Sequence, residues 1–419
     1  MADVPTALCA QDRRILRDLA KRKVELAESP ANAARRELWY AHDEHRSARP
    51  IVLAESGPVL DELLPAATFQ CQDAWARDLE RSFHQAIYDH TVLKDDHVLE
   101  PTHYVPWVVA FSDYGVHETD HYADNHGQLG ARTWTHPIAD LDADFHLLKP
   151  RTFSVDRPKT LARKAFVEDL LGDILEVQIR GSFYWTLGMT WTAIRLVGLQ
   201  EFMLYMYDNP AGLHRLMAFL RDDHLKLVHW LTAEGLYTPN DRNDYIGSGT
   251  FGYSHAFPAA PNATSATTPA SLWVLLESQE TVGVSPELFA EFVLPYQTAI
   301  AQEFGRVYYG CCEPLHTRID LLKKWPNLQR VSVSPWADQT LMGQACGQSL
   351  VFSRKPNPTF ISSPQFDEGP IRADLKETLQ VAKHNTLELI MKDVHTLCGD
   401  ARRLPRWIEL AREGIEEFW

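Results

Sequence analysis

The sequence has 419 residues, which is more than one small hydrophobic core requires and predicts either a barrel-sized domain with an added segment or two domains. Hydrophobic residues make up 45% of the chain and charged residues 23%, as in ordinary soluble globular proteins. The 41 basic and 56 acidic residues give a net charge of −15, and no long basic run occurs. This balance argues against nucleic acid and against an anionic membrane as partners.

The first residues carry charges where a signal peptide needs an apolar core. The longest uncharged hydrophobic stretch, residues 181–194, is too short to cross a bilayer. The sequence therefore predicts a cytoplasmic protein whose six cysteines are reduced thiols. Reduced cysteines that cluster are candidates for metal binding or catalysis.

Helices and strands are predicted along the chain from hydrophobic periodicity and capping residues. An amphipathic helix comes first, and residues 40–150 then mix Pro, His, Asp and aromatic residues with short β-like pieces. The predicted elements are helix 10–28, helix 159–172, strand 174–181, helices 198–207 and 210–235, strands 244–251 and 271–277, helix 285–304, strand 306–311, helix 314–325, strands 328–335 and 348–356, helix 371–385, strand 387–393 and helix 401–417.

The alternation of strands and helices after residue 160 favours a parallel α/β fold. No GxxxxGK[ST] motif occurs. We predict a (β/α)8 TIM-type barrel over residues 151–419, with an N-terminal elaboration over residues 1–150 packed on it. Active-site residues in such a barrel lie at the carboxyl ends of the strands.

Three predicted strand ends bear candidate metal ligands. Glu277 and Glu280 follow one strand, Cys311 ends another, and His395 and Cys398 follow the last. Carboxylate, thiolate and imidazole are the groups that bind zinc in proteins. All three strand ends are expected on the same face of a barrel, so the sequence predicts a zinc site there.

Cys311 is followed directly by Cys312, and alternate side chains of a strand share a face. The pattern therefore favours Cys311 as a ligand and Cys312 as a packing residue that faces away. Adjacent cysteines are more often core than metal site, by roughly three to one. Because Cys311 and Cys398 both lie at or just after the ends of predicted strands, they are stronger candidates for metal binding than these odds suggest.

Three segments, residues 272–300, 307–335 and 387–414, resemble the uroporphyrinogen decarboxylase superfamily, and the run SPELFAEFVLPY is the most specific part. The resemblance implies a (β/α)8 barrel. True decarboxylases of this superfamily have an arginine-rich N-terminal motif for porphyrinogen carboxylates, and the corresponding ARRELWYAHDEHRSARP lacks it. The chain is more similar to the branch of zinc-dependent methyltransferases that work with corrinoid proteins.

The metal positions that this branch implies are an H-x-C at one strand end and a Cys in a C-terminal CG. Here Tyr309-Gly310-Cys311 falls on the H-x-C and Cys398-Gly399 on the CG, so a tyrosine replaces the histidine. Glu280 or Glu277 is then expected as the third zinc ligand, with His395 as a weaker option.

The resemblance implies a methyltransferase of an O-demethylase system, which moves a methyl group from a methoxylated substrate to the cob(I)alamin of a partner corrinoid protein. Zinc would act as a Lewis acid on the ether oxygen, and Tyr309 or His395 would share a proton with the leaving phenol. Two other readings stay open: a decarboxylase or lyase of the same superfamily acting on a non-porphyrin acid, and a corrinoid-binding accessory protein. The oligomeric state, with a homodimer among the possibilities, also stays open.

A small methoxylated aromatic compound is the expected methyl donor. Two stretches, residues 181–191 and 244–257, combine aromatic residues with Gly and Ser at strand ends, which suits a flat apolar ligand approached closely by backbone. The predicted substrate-binding residues are Phe183, Trp185, Trp191, Tyr245, Phe251 and Tyr253.

Overall fold

The structure is a computed structural model that describes residues 4–123, 132–257 and 267–419. Its strands are β1 (Ile51–Ala54), β2 (Thr102–Pro106), β3 (Val109–Phe111), β4 (Thr119–Tyr122), β5 (Arg132–Thr135), β6 (Phe153–Val155), β7 (Glu176–Arg180), β8 (Arg242–Gly247), β9 (Thr250–Tyr253), β10 (Trp273–Leu276), β11 (Arg306–Tyr309), β12 (Leu328–Val333), β13 (Val351–Arg354) and β14 (Thr386–Met391).

The helices alternate with these strands over most of the chain, and no helix within the described ranges is long and apolar enough to span a bilayer. They are α1 (Ala10–Ala27), α2 (Pro30–Asp43), α3 (Leu60–Leu63), α4 (Ala74–Tyr88), α5 (Arg157–Leu171), α6 (Thr190–Val197), α7 (Leu199–Asp208), α8 (Pro210–Ala233), α9 (Pro286–Phe292), α10 (Leu294–Ala301), α11 (Ile319–Leu322), α12 (Gln339–Cys346), α13 (Thr359–Ser362), α14 (Glu368–Val381) and α15 (Arg403–Phe418).

A six-stranded parallel sheet in the order β1-β14-β13-β12-β11-β10 forms the centre of the fold. Strands β2 and β7 form a separate parallel pair, and the remaining strands pair antiparallel. The predicted α/β class with parallel strands is confirmed, while closure into an eight-stranded barrel stays a prediction. Because β1 pairs with β14, the sheet draws on residues from both sides of the boundary predicted at residue 150.

The two faces of the sheet pack differently. On one face, Val274, Val307 and Leu389 belong to the main hydrophobic core, which also contains the inner sides of the helices. On the other face, Leu53 and Ile390 join a smaller apolar cluster. Side chains alternate between faces along a strand, so each strand contributes to both faces. We call the face that carries Leu53 and Ile390 the inner face.

Buried charges occupy the inner face near the amino ends of the strands. Arg330 and Glu388 are fully buried, and Arg330 Nη1 lies 3.5 Å from Glu388 Oε2. Burial disfavours the Glu388 carboxylate, but His42 and Arg330 outweigh it and lower the pKa of Glu388 to about 2. The carboxylate and the guanidinium therefore stabilise each other inside the protein.

Candidate active site

Five polar side chains follow closely after strands of the central sheet, and we call them the strand-end cluster. Parallel strands bring their carboxyl ends to one edge of the sheet, which is where the active sites of α/β proteins lie. The members are Glu55 after β1, Glu277 after β10, Cys311 after β11, Lys355 after β13 and Lys392 after β14.

Cys311 lies at the centre of this cluster. Its Sγ is 3.5 Å from Cys312 Sγ, 3.5 Å from Ser248 Oγ and 3.9 Å from Lys392 Nζ. The prediction that Cys312 faces away is wrong, because β11 ends at Tyr309 and Gly310 turns the backbone with a φ of 97°. Beyond the strand, the alternation of side chains no longer applies.

The thiols of Cys311 and Cys312 are so close that the ionisation of one suppresses the ionisation of the other. Cys311 is buried and Cys312 is exposed, so a negative charge is better solvated on Cys312. A hydrogen bond from Cys311 to the Cys312 sulfur raises the pKa of Cys311 and lowers the pKa of Cys312. When the pair loses a proton, the negative charge therefore lies on Cys312, and Cys311 stays a neutral hydrogen-bond donor.

Lys392 supplies the positive charge of the site. Its Nζ lies 3.1 Å from Asp393 Oδ2, and that oxygen lies 3.9 Å from Cys312 Sγ. Burial disfavours the ammonium, but the acidic groups Asp393 and Glu55 favour it, and the pKa of Lys392 is raised. Lys392 is therefore a cation at neutral pH, placed between the thiols and the acidic groups.

Glu277 and Glu313 are buried carboxyl groups at the ends of β10 and β11. Glu313 accepts hydrogen bonds from the backbone amides of Ser278 (2.9 Å) and Cys311 (2.8 Å), and thereby ties the two strand ends together. Burial, with Glu280 and Glu313 nearby, raises the pKa of Glu277 well above its usual range. Glu277 Oε1 is buried without a hydrogen-bond partner in the described part of the chain, so a protonated Glu277 is a proton donor within the site.

Lys355 directly follows β13 and is 3% exposed. Its Nζ donates to the hydroxyls of Tyr308 and Ser353, and no carboxylate of a described residue lies within ion-pair distance. Burial lowers the pKa of Lys355 to about 7. At neutral pH this amine is close to its midpoint and can hold or release a proton.

The predicted zinc ligands do not come together. No group of three or more His, Cys, Asp or Glu side chains in residues 4–123, 132–257 and 267–419 is placed to hold a metal ion. The exposed Cys398 thiol donates to Ser362 O (3.3 Å), while Glu280 accepts from Thr190 Oγ1 (2.7 Å). Cys311, Cys398 and either Glu277 or Glu280 therefore do not fit zinc as arranged, and we assign no catalytic step to it.

The two residues predicted to share a proton with the substrate are placed elsewhere. Tyr309 is buried on the helix-facing side of β11, where its hydroxyl donates to Gln297 Oε1 (2.8 Å) and its ring packs on Trp325. Its side chain points away from the inner face, because Tyr309 lies on the helix-facing side of the strand. His395 is exposed in the loop that follows β14.

A cavity of about 590 Å³ lies beside the cluster, along β7, β8 and β10. Three of the predicted substrate-binding residues, Phe183, Trp185 and Tyr245, line it. Tyr245 connects the cavity with the cluster, since Glu55 and Lys392 both act on its hydroxyl electrostatically. An apolar ring held in this cavity would contact Tyr245, the wall residue on which the cluster acts.

The other three predicted aromatic residues lie outside this cavity. Trp191 packs at 5.7 Å from Trp134, and Tyr253 is a fully buried core residue stacked on Trp39 at 5.2 Å. Phe251 packs edge-on against Tyr245 at 6.0 Å, so it supports a residue of the cavity wall. Helix and core packing therefore explain Trp191 and Tyr253 without a ligand.

Sequence reasoning missed Glu55, Lys355, Lys392, Cys312 and Glu313. A search for zinc ligands passes over lysines, although Lys392 directly follows a predicted strand and could have been found from that position. Glu55 was hidden because the four-residue β1 was not recognised as a strand.

The comparisons with known proteins add little to this site. No protein-family description and no curated protein matches the chain. Among solved structures, a methyltransferase from Methanosarcina mazei aligns over 90% of this chain and 97% of its own, with 11% identity and a TM-score of 0.47. At this level of similarity, the function has to be argued from the residues themselves.

Proposed function

We propose that the chain is the methyltransferase of an O-demethylation system, which takes the methyl group of a small methoxylated aromatic compound and passes it to the cob(I)alamin of a separate corrinoid protein. The observation that carries the proposal is the strand-end cluster, a cationic and acidic site beside an aromatic-lined cavity. The resemblance of residues 272–300, 307–335 and 387–414 to the uroporphyrinogen decarboxylase superfamily, which includes the corrinoid methyltransferases, supports it.

Cleavage of an aryl methyl ether requires that phenoxide leaves with its negative charge stabilised. The Lys392 ammonium and a protonated Glu277 offer that stabilisation from the chain's own residues. Phe183, Trp185 and Tyr245 would hold the ring. The nucleophile is supplied by the partner protein, so no residue of this chain is assigned to hold the corrinoid.

The first test is incubation of the purified protein with a reduced corrinoid protein and a panel of methoxyarenes, followed by absorbance and by analysis of the free phenol. We expect Lys392→Met to lower kcat by about 100-fold, as for loss of one electrostatic donor. The matched control is Lys383→Met, since Lys383 donates to the carbonyl of Phe418, away from the site. Carbon dioxide release from a carboxylated substrate, with no methyl transfer from any methoxyarene, would establish the decarboxylase or lyase alternative instead.

Elemental analysis tests the assignment of the thiols. About one zinc per chain that disappears in both Cys311→Ala and Cys398→Ala would restore the ligand set predicted from the sequence. Loss of the metal in Cys311→Ala and Cys312→Ser, with retention in Cys398→Ala, would place a metal on the adjacent thiols.

A further inference from the structure

A histidine and an aspartate lie against the carboxyl end of β1, outside the strand-end cluster. Asp95 is fully buried and accepts three hydrogen bonds: from Ala54 N (3.0 Å), from His97 N (3.0 Å) and from His97 Nδ1 (2.7 Å). Because a carboxylate accepts hydrogen bonds, His97 Nδ1 must carry a proton and donate it to Asp95. The ring is thereby fixed in one orientation, beside the strand end that leads into Glu55.

The other ring nitrogen of His97, Nε2, is available to donate or accept a proton. Nε2 has no hydrogen-bond partner among the described residues, and the side chain is 20% exposed. The ring packs edge-on against Phe251 at 5.2 Å, and Phe251 packs against Tyr245 of the cavity wall. One aromatic ring, Phe251, thus separates His97 from Tyr245, and Glu55 of the strand-end cluster is near enough to His97 to act on it electrostatically.

The charges around His97 favour its protonated form. Burial disfavours the imidazolium, but Asp95 outweighs it through charge and hydrogen bond, and Asp89 and Glu55 add to the effect. Together they raise the pKa of His97 to about 9. An imidazolium at neutral pH, with Nε2 unpaired, can give its proton to a stronger base such as a leaving phenoxide.

We propose that His97, oriented by Asp95, is the catalytic acid that protonates the leaving oxygen of the methoxylated substrate, an inference that rests on the proposed function. The bond between the methyl carbon and the oxygen breaks, and its electron pair goes to the oxygen. The proton moves from His97 Nε2 to that oxygen and gives a neutral phenol. The methyl carbon accepts the electron pair of the Co(I) acceptor, and His97 recovers its proton from solvent.

The test compares leaving groups in the wild type and in His97→Gln. A general acid matters most when the phenoxide is a strong base, so the variant should lose about 100-fold or more in kcat with methoxybenzene. It should lose little with 4-nitromethoxybenzene, whose phenoxide leaves without a proton. A structural defect would lower both rates by the same factor, and that result would overturn the proposal, as would full activity of the variant.

Asp95→Asn serves as a second variant that keeps the packing. Wild-type activity with methoxybenzene should fall as the pH rises through about 9, where His97 loses its proton. In Asp95→Asn this fall should move to lower pH, and an unmoved profile would contradict the assignment. His229→Gln, on the surface of α8, is the control histidine and should behave as the wild type. A wild type that demethylates no methoxyarene would refute the proposed function itself, which separates the two failures.

Discussion

The geometry of single residues decides which thiol of the site can react. Cys312 is exposed, has the lower pKa of the adjacent pair, and lies near the Lys392 ammonium. Cys398 is exposed as well, but its thiol donates to a backbone carbonyl. The thiolate is the reactive form of cysteine, so exposure alone does not determine the rate.

Alkylation rates test this difference. We expect iodoacetamide at pH 7 to modify Cys312 several-fold faster than Cys398 in the same molecules, as followed by peptide mass spectrometry. Lys392→Met should slow modification of Cys312, because its thiolate loses a stabilising charge, and should leave Cys398 unaffected. Equal rates at the two cysteines, or no effect of Lys392→Met, would contradict the shared ionisation.

At the scale of elements, the end of β11 shapes the site through Gly310. Its φ is 97°, and a Cβ at this position would lie 2.7 Å from Leu315 Cδ1 and 3.2 Å from Ser332 Cβ. Glycine tolerates this backbone, and its missing side chain leaves room for the turn that brings the two thiols together.

Gly310→Ala should therefore lower the free energy of unfolding by more than backbone strain alone. Gly347→Ala is the matched control, since Gly347 also has a positive φ of 51° but no atom within 4 Å of an added Cβ. We expect Gly310→Ala to cost about 2 kcal/mol more than the control, as for an overpacked core position. Urea denaturation measures both, and equal losses would show that Leu315 and Ser332 yield without cost.

The elements with strong periodicity were predicted well, and local chemistry explains the others. Helix α1 and strand β12 begin where the sequence predicts. The helix predicted over 285–304 is two helices, because Pro295 cannot donate the backbone hydrogen bond that would continue the first. The strand predicted over 244–251 is a hairpin, because Gly249 turns the chain with a φ of 84°.

The predicted strands place Cys311 and Glu277 at strand ends, where the structure also has them, while their role in a site stays a prediction. His97 and Glu55 could not be found in this way, because they join the site through the pairing of β1 with β14. That contact links distant parts of the chain, and a local sequence pattern does not contain it.

At the scale of the whole molecule, the sheet depends on strands that lie far apart in the sequence. Strand β1 covers an edge of β14, with Val52 opposite Leu389 and Leu53 opposite Ile390. Helix α2 adds Trp39 to the apolar cluster on the inner face. Residues 151–419 alone would leave these surfaces open to water.

We therefore expect a fragment of residues 151–419 to lack cooperative thermal unfolding and to self-associate, since an uncovered hydrophobic strand edge pairs readily with other chains. Circular dichroism melting and gel filtration, with the full chain as reference, measure these two properties. A monomeric fragment with a sharp transition would show that the barrel-like part folds without β1.

The pairing of β1 with β14 also constrains how the protein is made. Translation proceeds from the amino end, so β1 leaves the ribosome long before its partner strand exists. During that interval the buried sequence IVLA has no sheet to join and is exposed to other nascent chains. Synthesis of β14 thus completes the sheet and brings Asp95, His97 and Lys392 to the same edge. Until then, the exposed β1 segment would benefit most from binding to a chaperone.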